Sequence, residues 1–215
     1  MSTTPVARPE QVPLSALSGK LAAGAALVVG LGGLVYSVAF IIVVRSGSDA
    51  AQYVAAAALL VVGMVAVVVA VALYTHLGLV DRGIALCALI FATASGLGSS
   101  IHGGFDLARL INPPSVASDF PNPVDPRGLL TFGAAGLAVL GWSLLIARSS
   151  SWPGRLARLG YLSALLLAII YVGRLTAFDP KNPVLLVPAA VEGFVVNPLW
   201  FVLASRHLRE APDRA

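Results

Sequence analysis

Val54–Val80 reads VAAAALLVVGMVAVVVAVALYTHLGLV, with no Asp, Glu, Lys or Arg anywhere in it. An α-helix rises about 1.5 Å per residue, so about 20 apolar residues cover the ~30 Å hydrocarbon core of a bilayer. This run is long enough to cross. Lipid offers no water to backbone N–H and C=O groups, so a single crossing segment is a helix that bonds internally. The stretch therefore predicts a transmembrane helix. It decides the fold class because five others accompany it.

The others are Leu21–Val44, Ile84–Phe105, Leu129–Ala147, Leu159–Ala177 and Val184–Ser205. Together they predict an all-α polytopic bundle of six transmembrane helices. Apolar residues make up 58% of the chain and charged residues 11%, against about 25% charged in ordinary soluble domains. The mean hydropathy is +0.88. Six spans leave no room in 215 residues for a separate globular domain. The expected organisation is a polar N-terminal tail over 1–19, a six-helix domain over 20–208 and a C-terminal tail over 209–215. Residues 1–18 carry Pro5, Pro9 and Pro13 and no basic cluster ahead of a short apolar core. Leu21–Val44 is too long for a signal-peptide core and is read as a retained first span.

With six spans both ends share one side. That side holds Arg8, Lys20, Arg82, Arg148, Arg155, Arg158, Arg206, Arg209 and Arg214. The other holds Arg45, Arg109, Arg127, Arg174 and Lys181, which accounts for all 14 Lys and Arg. The positive-inside rule then expects both termini in the cytoplasm and the protein in the cytoplasmic (inner) membrane. The net charge of +4 is read as anchoring to anionic headgroups. The basic residues are scattered over several loops with no binding module, so a nucleic-acid partner is not expected. The expected partner is the lipid bilayer itself; protein partners are left open. Cys87 is the only cysteine, which excludes a disulfide framework, a Cys-x-x-Cys redox pair and a zinc-type cysteine site.

Stepping along the third span by four and three gives Ala88, Ala92, Ser95, Ser99, His102, Asp106 and Arg109 on one face. The face begins small, which suits close helix packing, and ends ionisable. His102 and Asp106 are one turn apart, so the carboxylate can hold the imidazole. This stripe either lines an outward-facing polar cavity or is a helix end rising into the headgroups. The connection that follows, from about Asp106 to Gly128, is dense in proline and is expected to cap the outer mouth.

Glu192 lies between Pro188 and Pro198, roughly 12 Å below the outer end of the sixth span. An intramembrane carboxylate is expensive unless paired, protonated or hydrated, and it marks either a functional site or a packed neutral acid. Proline-broken helices near midplane expose backbone to substrates in many transporters. Ala189, Gly193 and Asn197 follow a small-residue spacing, so their face should pack closely on another helix. Arg174, near the outer end of the fifth span, either snorkels to the interface or serves as a counter-charge to Asp106, Asp179 or Glu192. Pro183 can open the sixth helix, with Asp179 or Asn182 as its cap.

The candidate pocket residues are thus His102, Asp106, Arg109, Arg174, Asp179, Glu192 and Asn197. No catalytic or metal set is recognised: there is no His-Glu-x-x-His helix and no Gly-x-Ser-x-Gly elbow. His76 lies about a turn from the inner end of its span, whereas His102 is about 18 residues, or 27 Å, up the next helix; they are too far apart to share a haem iron, and no cofactor is expected. Gly19-Lys20-Leu21-Ala22 and Gly154-Arg155-Leu156-Ala157 open the first and fifth spans alike, which hints at repeated hairpins.

Four segments resemble a family of uncharacterised bacterial multi-pass membrane proteins. They are Ser99–Ala108, Pro121–Gly128, Tyr171–Arg174 with Asp179–Pro183, and Val195–Trp200. The resemblance implies a six-helix integral membrane protein over about residues 20–208 and brings no activity with it. The expected function is the binding or transport of a small molecule or proton through an outward-facing polar pocket. The alternative is a non-catalytic protein that acts by partner or lipid contact.

Overall fold

A computed structural model describes residues 19–112, 125, 128–176 and 182–210. Its helices are α1 (Gly19–Ser46), α2 (Asp49–Leu77), α3 (Arg82–Ile111), α4 (Ala135–Arg148), α5 (Gly154–Thr176), α6 (Pro183–Val191) and α7 (Asn197–Glu210). A π-helical turn, Leu129–Ala134, leads directly into α4, and a second, Glu192–Val196, joins α6 to α7. The result is six helices long and apolar enough to cross a membrane: α1, α2, α3, Leu129–Arg148, α5 and Pro183–Arg209. The protein has the architecture of an all-helical, multi-pass membrane protein.

Spans adjacent in sequence pack side by side, and α7 closes the ring against α1. Small residues set the spacing. Gly63 of α2 and Gly96 of α3 approach so closely that a Cβ on Gly96 would lie 2.7 Å from the Gly63 carbonyl oxygen. The Ser100 hydroxyl crosses the same seam to the Leu60 carbonyl at 3.2 Å. Van der Waals contact between small residues is what drives helices together in lipid. The outward face is the reverse: Val28, Leu31, Val35, Val38 and Ile42 are exposed along α1 at spacings of three and four, as a lipid-facing stripe requires.

The end that carries the chain termini is filled. Trp142, Leu145, Ile146, Leu156, Trp200 and Leu208 are buried there with Leu73 and Leu77. The Ser205 hydroxyl bonds the Ala23 carbonyl at 2.9 Å across the α1–α7 seam, and Trp152 packs on His207 with ring centroids 4.3 Å apart. Asp81 caps α3 through the Ile84 N–H at 3.1 Å and faces Arg148 at 3.5 Å.

One expectation is corrected. α3 runs past Asp106, where the sequence reading starts a loop, and stops at Ile111. The first strong breaker is Pro113, and the residue before a proline is pushed out of the α region, as Asn112 is with φ −117° and ψ 93°. The tails, the connection 113–124 and the turn 177–181 lie outside the described residues.

Candidate functional site

The sixth span is built around its prolines. Asn182 caps it, accepting from the Val184 N–H at 3.0 Å, and Pro183 takes the first helical position, where a missing N–H costs nothing. Pro188 and Pro198 each remove an N–H and crowd the carbonyl four residues before them. Just ahead of Pro198 the helix widens. Asn197 N–H bonds the carbonyl of Glu192, five residues back, instead of that of Gly193. Such π turns inside helices are frequent at functional sites. Glu192 is the first residue of this one.

Its carboxylate is 6% exposed and points into the bundle. The Ser163 hydroxyl of α5 donates to Oε1 at 2.6 Å. Oε2 is buried and has no hydrogen-bond partner. Ser163 is nine residues after the start of α5 and eleven before Arg174, so Glu192 lies about 14 Å along that helix from its start and about 16 Å short of the arginine backbone. The Arg174 guanidinium sits 5.3 Å over the Phe132 ring, and the His102 imidazole faces Asp106.

A cavity of about 260 Å³ lies between the helices, with wall residues from all six spans. Glu192, Asn197, Ser37, Ser95, Ser99 and Thr131 give it polar atoms, and Arg174 and Tyr36 join them nearer the outer ends. Trp142 and Trp200 belong to its deep end. Four buried side-chain polar atoms lack a partner among the described residues. Three of them, Glu192 Oε2, Thr131 Oγ1 and Trp200 Nε1, belong to residues of this cavity's wall.

The predicted stripe on α3 divides. Ala92, Ser95 and Ser99 reach the cavity. His102 and Asp106, 3.3 Å apart, are half-buried above it. About 20 residues of a helix beginning at Arg82 span the hydrocarbon, which puts His102 at its outer edge. Arg109 is exposed, its guanidinium 5.7 Å over the Phe105 ring, and stands outside the cavity. The charges of Asp106, Asp125 and Arg174 all act on the His102 imidazole, so these groups are gathered at the outer end. Asn197 reaches the cavity and packs over Gly33 of α1, and Gly193 packs on Ser37. The small face of the sixth span thus meets α1 as its spacing predicts. Asp179 lies outside the described residues.

Sequence reasoning missed Asp125. It is 2% exposed, and its two oxygens accept the Leu130 N–H at 3.1 Å and the Thr131 N–H at 2.8 Å. It caps the fourth span from four residues before its first turn. Gly128, at φ 73°, makes the intervening turn, a conformation costly for any residue with a Cβ. An acid shortly before an apolar run was the available signal.

No family model, no curated protein and no solved structure matches this chain.

Proposed function

We propose that this protein binds or moves a small molecule or proton through the central cavity, which opens to the outer side of the cytoplasmic membrane, with both termini in the cytoplasm. One observation carries the reading: three buried polar atoms with no partner among the described residues, Glu192 Oε2, Thr131 Oγ1 and Trp200 Nε1, belong to residues that line one cavity. Buried polar groups almost always find partners, and an orphan calls for a water or a ligand. The inner end is sealed by tryptophan and leucine, which leaves the outer end as the way in. The exposed placement of Arg109 and the half-buried His102–Asp106 pair favour a second reading, in which the outer surface contacts a partner or headgroups. Membership of the bacterial family that the four segments resemble is part of the same proposal.

The test is chemical access. In a Cys87→Ser background, Ser95→Cys places a thiol on the cavity wall. A membrane-impermeant cationic methanethiosulfonate added from outside should modify it, with Ser150→Cys protected until the membrane is permeabilised. A Ser95→Cys protein that stays unmodified from both sides would mean a dry, closed bundle and would sink this reading.

A further inference from the structure

We infer that the base of the cavity takes a small organic ammonium whose charge pairs with Glu192 Oε2 and whose apolar body lies against Trp142 and Trp200. The inference rests on the cavity reading just proposed and names the ligand class for it. Glu192 is the one carboxylic acid among the described wall residues; Arg174 stands about 16 Å away along α5 with its guanidinium over Phe132. Ser163 satisfies one carboxylate oxygen and leaves the other buried and unpartnered. Such an oxygen at this depth is costly until a donor or a cation reaches it. An anion would instead meet the carboxylate and find no compensating charge at that level.

The walls fit the rest of the molecule. Trp142 and Trp200 are among the wall residues, and aromatic faces attract ammonium groups. A Cβ on Gly160 would lie 2.8 Å from Trp200 Nε1. Gly160 is three residues, about 4.5 Å, below Ser163 on α5. The unpartnered indole N–H is therefore about one turn below the carboxylate, inside the reach of one small ligand. The volume of about 260 Å³ is just under the ~300–1,000 Å³ of drug-sized pockets, so the occupant is a fragment-sized molecule. Entry has a natural seam. α1 packs on Glu192–Val196 and α7 but not extensively along α6, so the ring is loosest between α1 and α6, in the outer half.

The experiment compares three probes of one shape and different charge: phenethylammonium, phenethyl alcohol and hydrocinnamate. Each is titrated into the purified full-length protein in nanodiscs of phosphatidylglycerol, with tryptophan fluorescence and calorimetry as readouts. Phenethylammonium should bind about tenfold or more tightly than the alcohol, and hydrocinnamate should not compete. Glu192→Gln should erase the preference for the ammonium while its melting temperature stays near wild type; Glu192→Asp should keep part of it. Adding phosphatidylethanolamine separates sources of the same chemistry: unchanged probe affinity assigns the site to a soluble ammonium, and loss of probe binding assigns it to a lipid headgroup. Equal binding of alcohol and ammonium, or preference for hydrocinnamate, overturns the proposal on the wild-type protein without recourse to any variant. No probe binding to a protein whose Ser95→Cys thiol is accessible overturns the ammonium and leaves the cavity reading standing. An inaccessible thiol removes both.

Discussion

At the scale of single residues, the Ser163 hydroxyl decides how Glu192 is held. It donates to Oε1 at 2.6 Å from another span, and both side chains are buried. Removing one partner of a buried hydrogen bond leaves the other to bear its desolvation, about 1–3 kcal/mol. Ser163→Ala is therefore expected to destabilise the protein by that amount, measured by denaturant titration in detergent micelles. Glu192→Gln keeps an accepting oxygen and should cost less, whereas Glu192→Leu leaves the Ser163 hydroxyl unpaired and should cost as much as Ser163→Ala. Because the two residues touch, their effects should not add: Ser163→Ala in a Glu192→Leu background should be nearly silent. A full additional loss in the double variant would show that this hydrogen bond does not couple α5 to the sixth span.

At the scale of elements, close approach is purchased with small side chains, and the seam between α2 and α3 is the clearest case. Gly96 has the Gly63 carbonyl 2.7 Å from where its Cβ would be, while Gly24 on α1 has nothing within 4 Å. Gly96→Ala must push two backbones apart, and overpacking of this kind costs about 1–3 kcal/mol. Gly24→Ala adds a methyl into open surroundings and raises helix propensity, so it should be neutral or stabilising by up to ~1 kcal/mol. Unfolding midpoints of the two single variants check the pair; equal losses would mean that the seam is not tight. The sixth span shows the other way an element is shaped. Its π turn ahead of Pro198 is a local response to a missing donor, and it sets the rotation at which Glu192 leaves the helix.

At the scale of the whole molecule, the two ends of the ring differ in kind. The end with the termini is packed with Trp142, Trp200 and a group of leucines and collects most of the basic residues. The other end holds the cavity's polar rim. The proposed orientation rests on the basic residues. Ser118→Cys, in the connection between the third and fourth spans, should react with an impermeant maleimide on intact cells. Ser150→Cys, between the fourth and fifth, should react only after permeabilisation. The reverse pattern would invert the topology and turn the cavity toward the cytoplasm.

The amino-acid sequence by itself determined the number of spans and their order. Crossing a slab about 30 Å thick is a property of one run of residues, legible without knowing any neighbour. The Asn182 cap, the His102–Asp106 pair and the small face of the sixth span were legible for the same reason: each depends on residues within a turn or two, or on one helix's own periodicity. Partners across the bundle were not. That Glu192 meets Ser163 rather than Arg174, that Arg109 leaves the cavity while Ser95 and Ser99 line it, and that Asp125 caps the fourth span depend on how far each helix is shifted and rotated. Those shifts are set by glycine contacts between spans far apart in sequence and by a π turn that spacing alone does not announce. The tertiary structure decided them, because a cavity belongs to the gap between helices and no single helix encodes it.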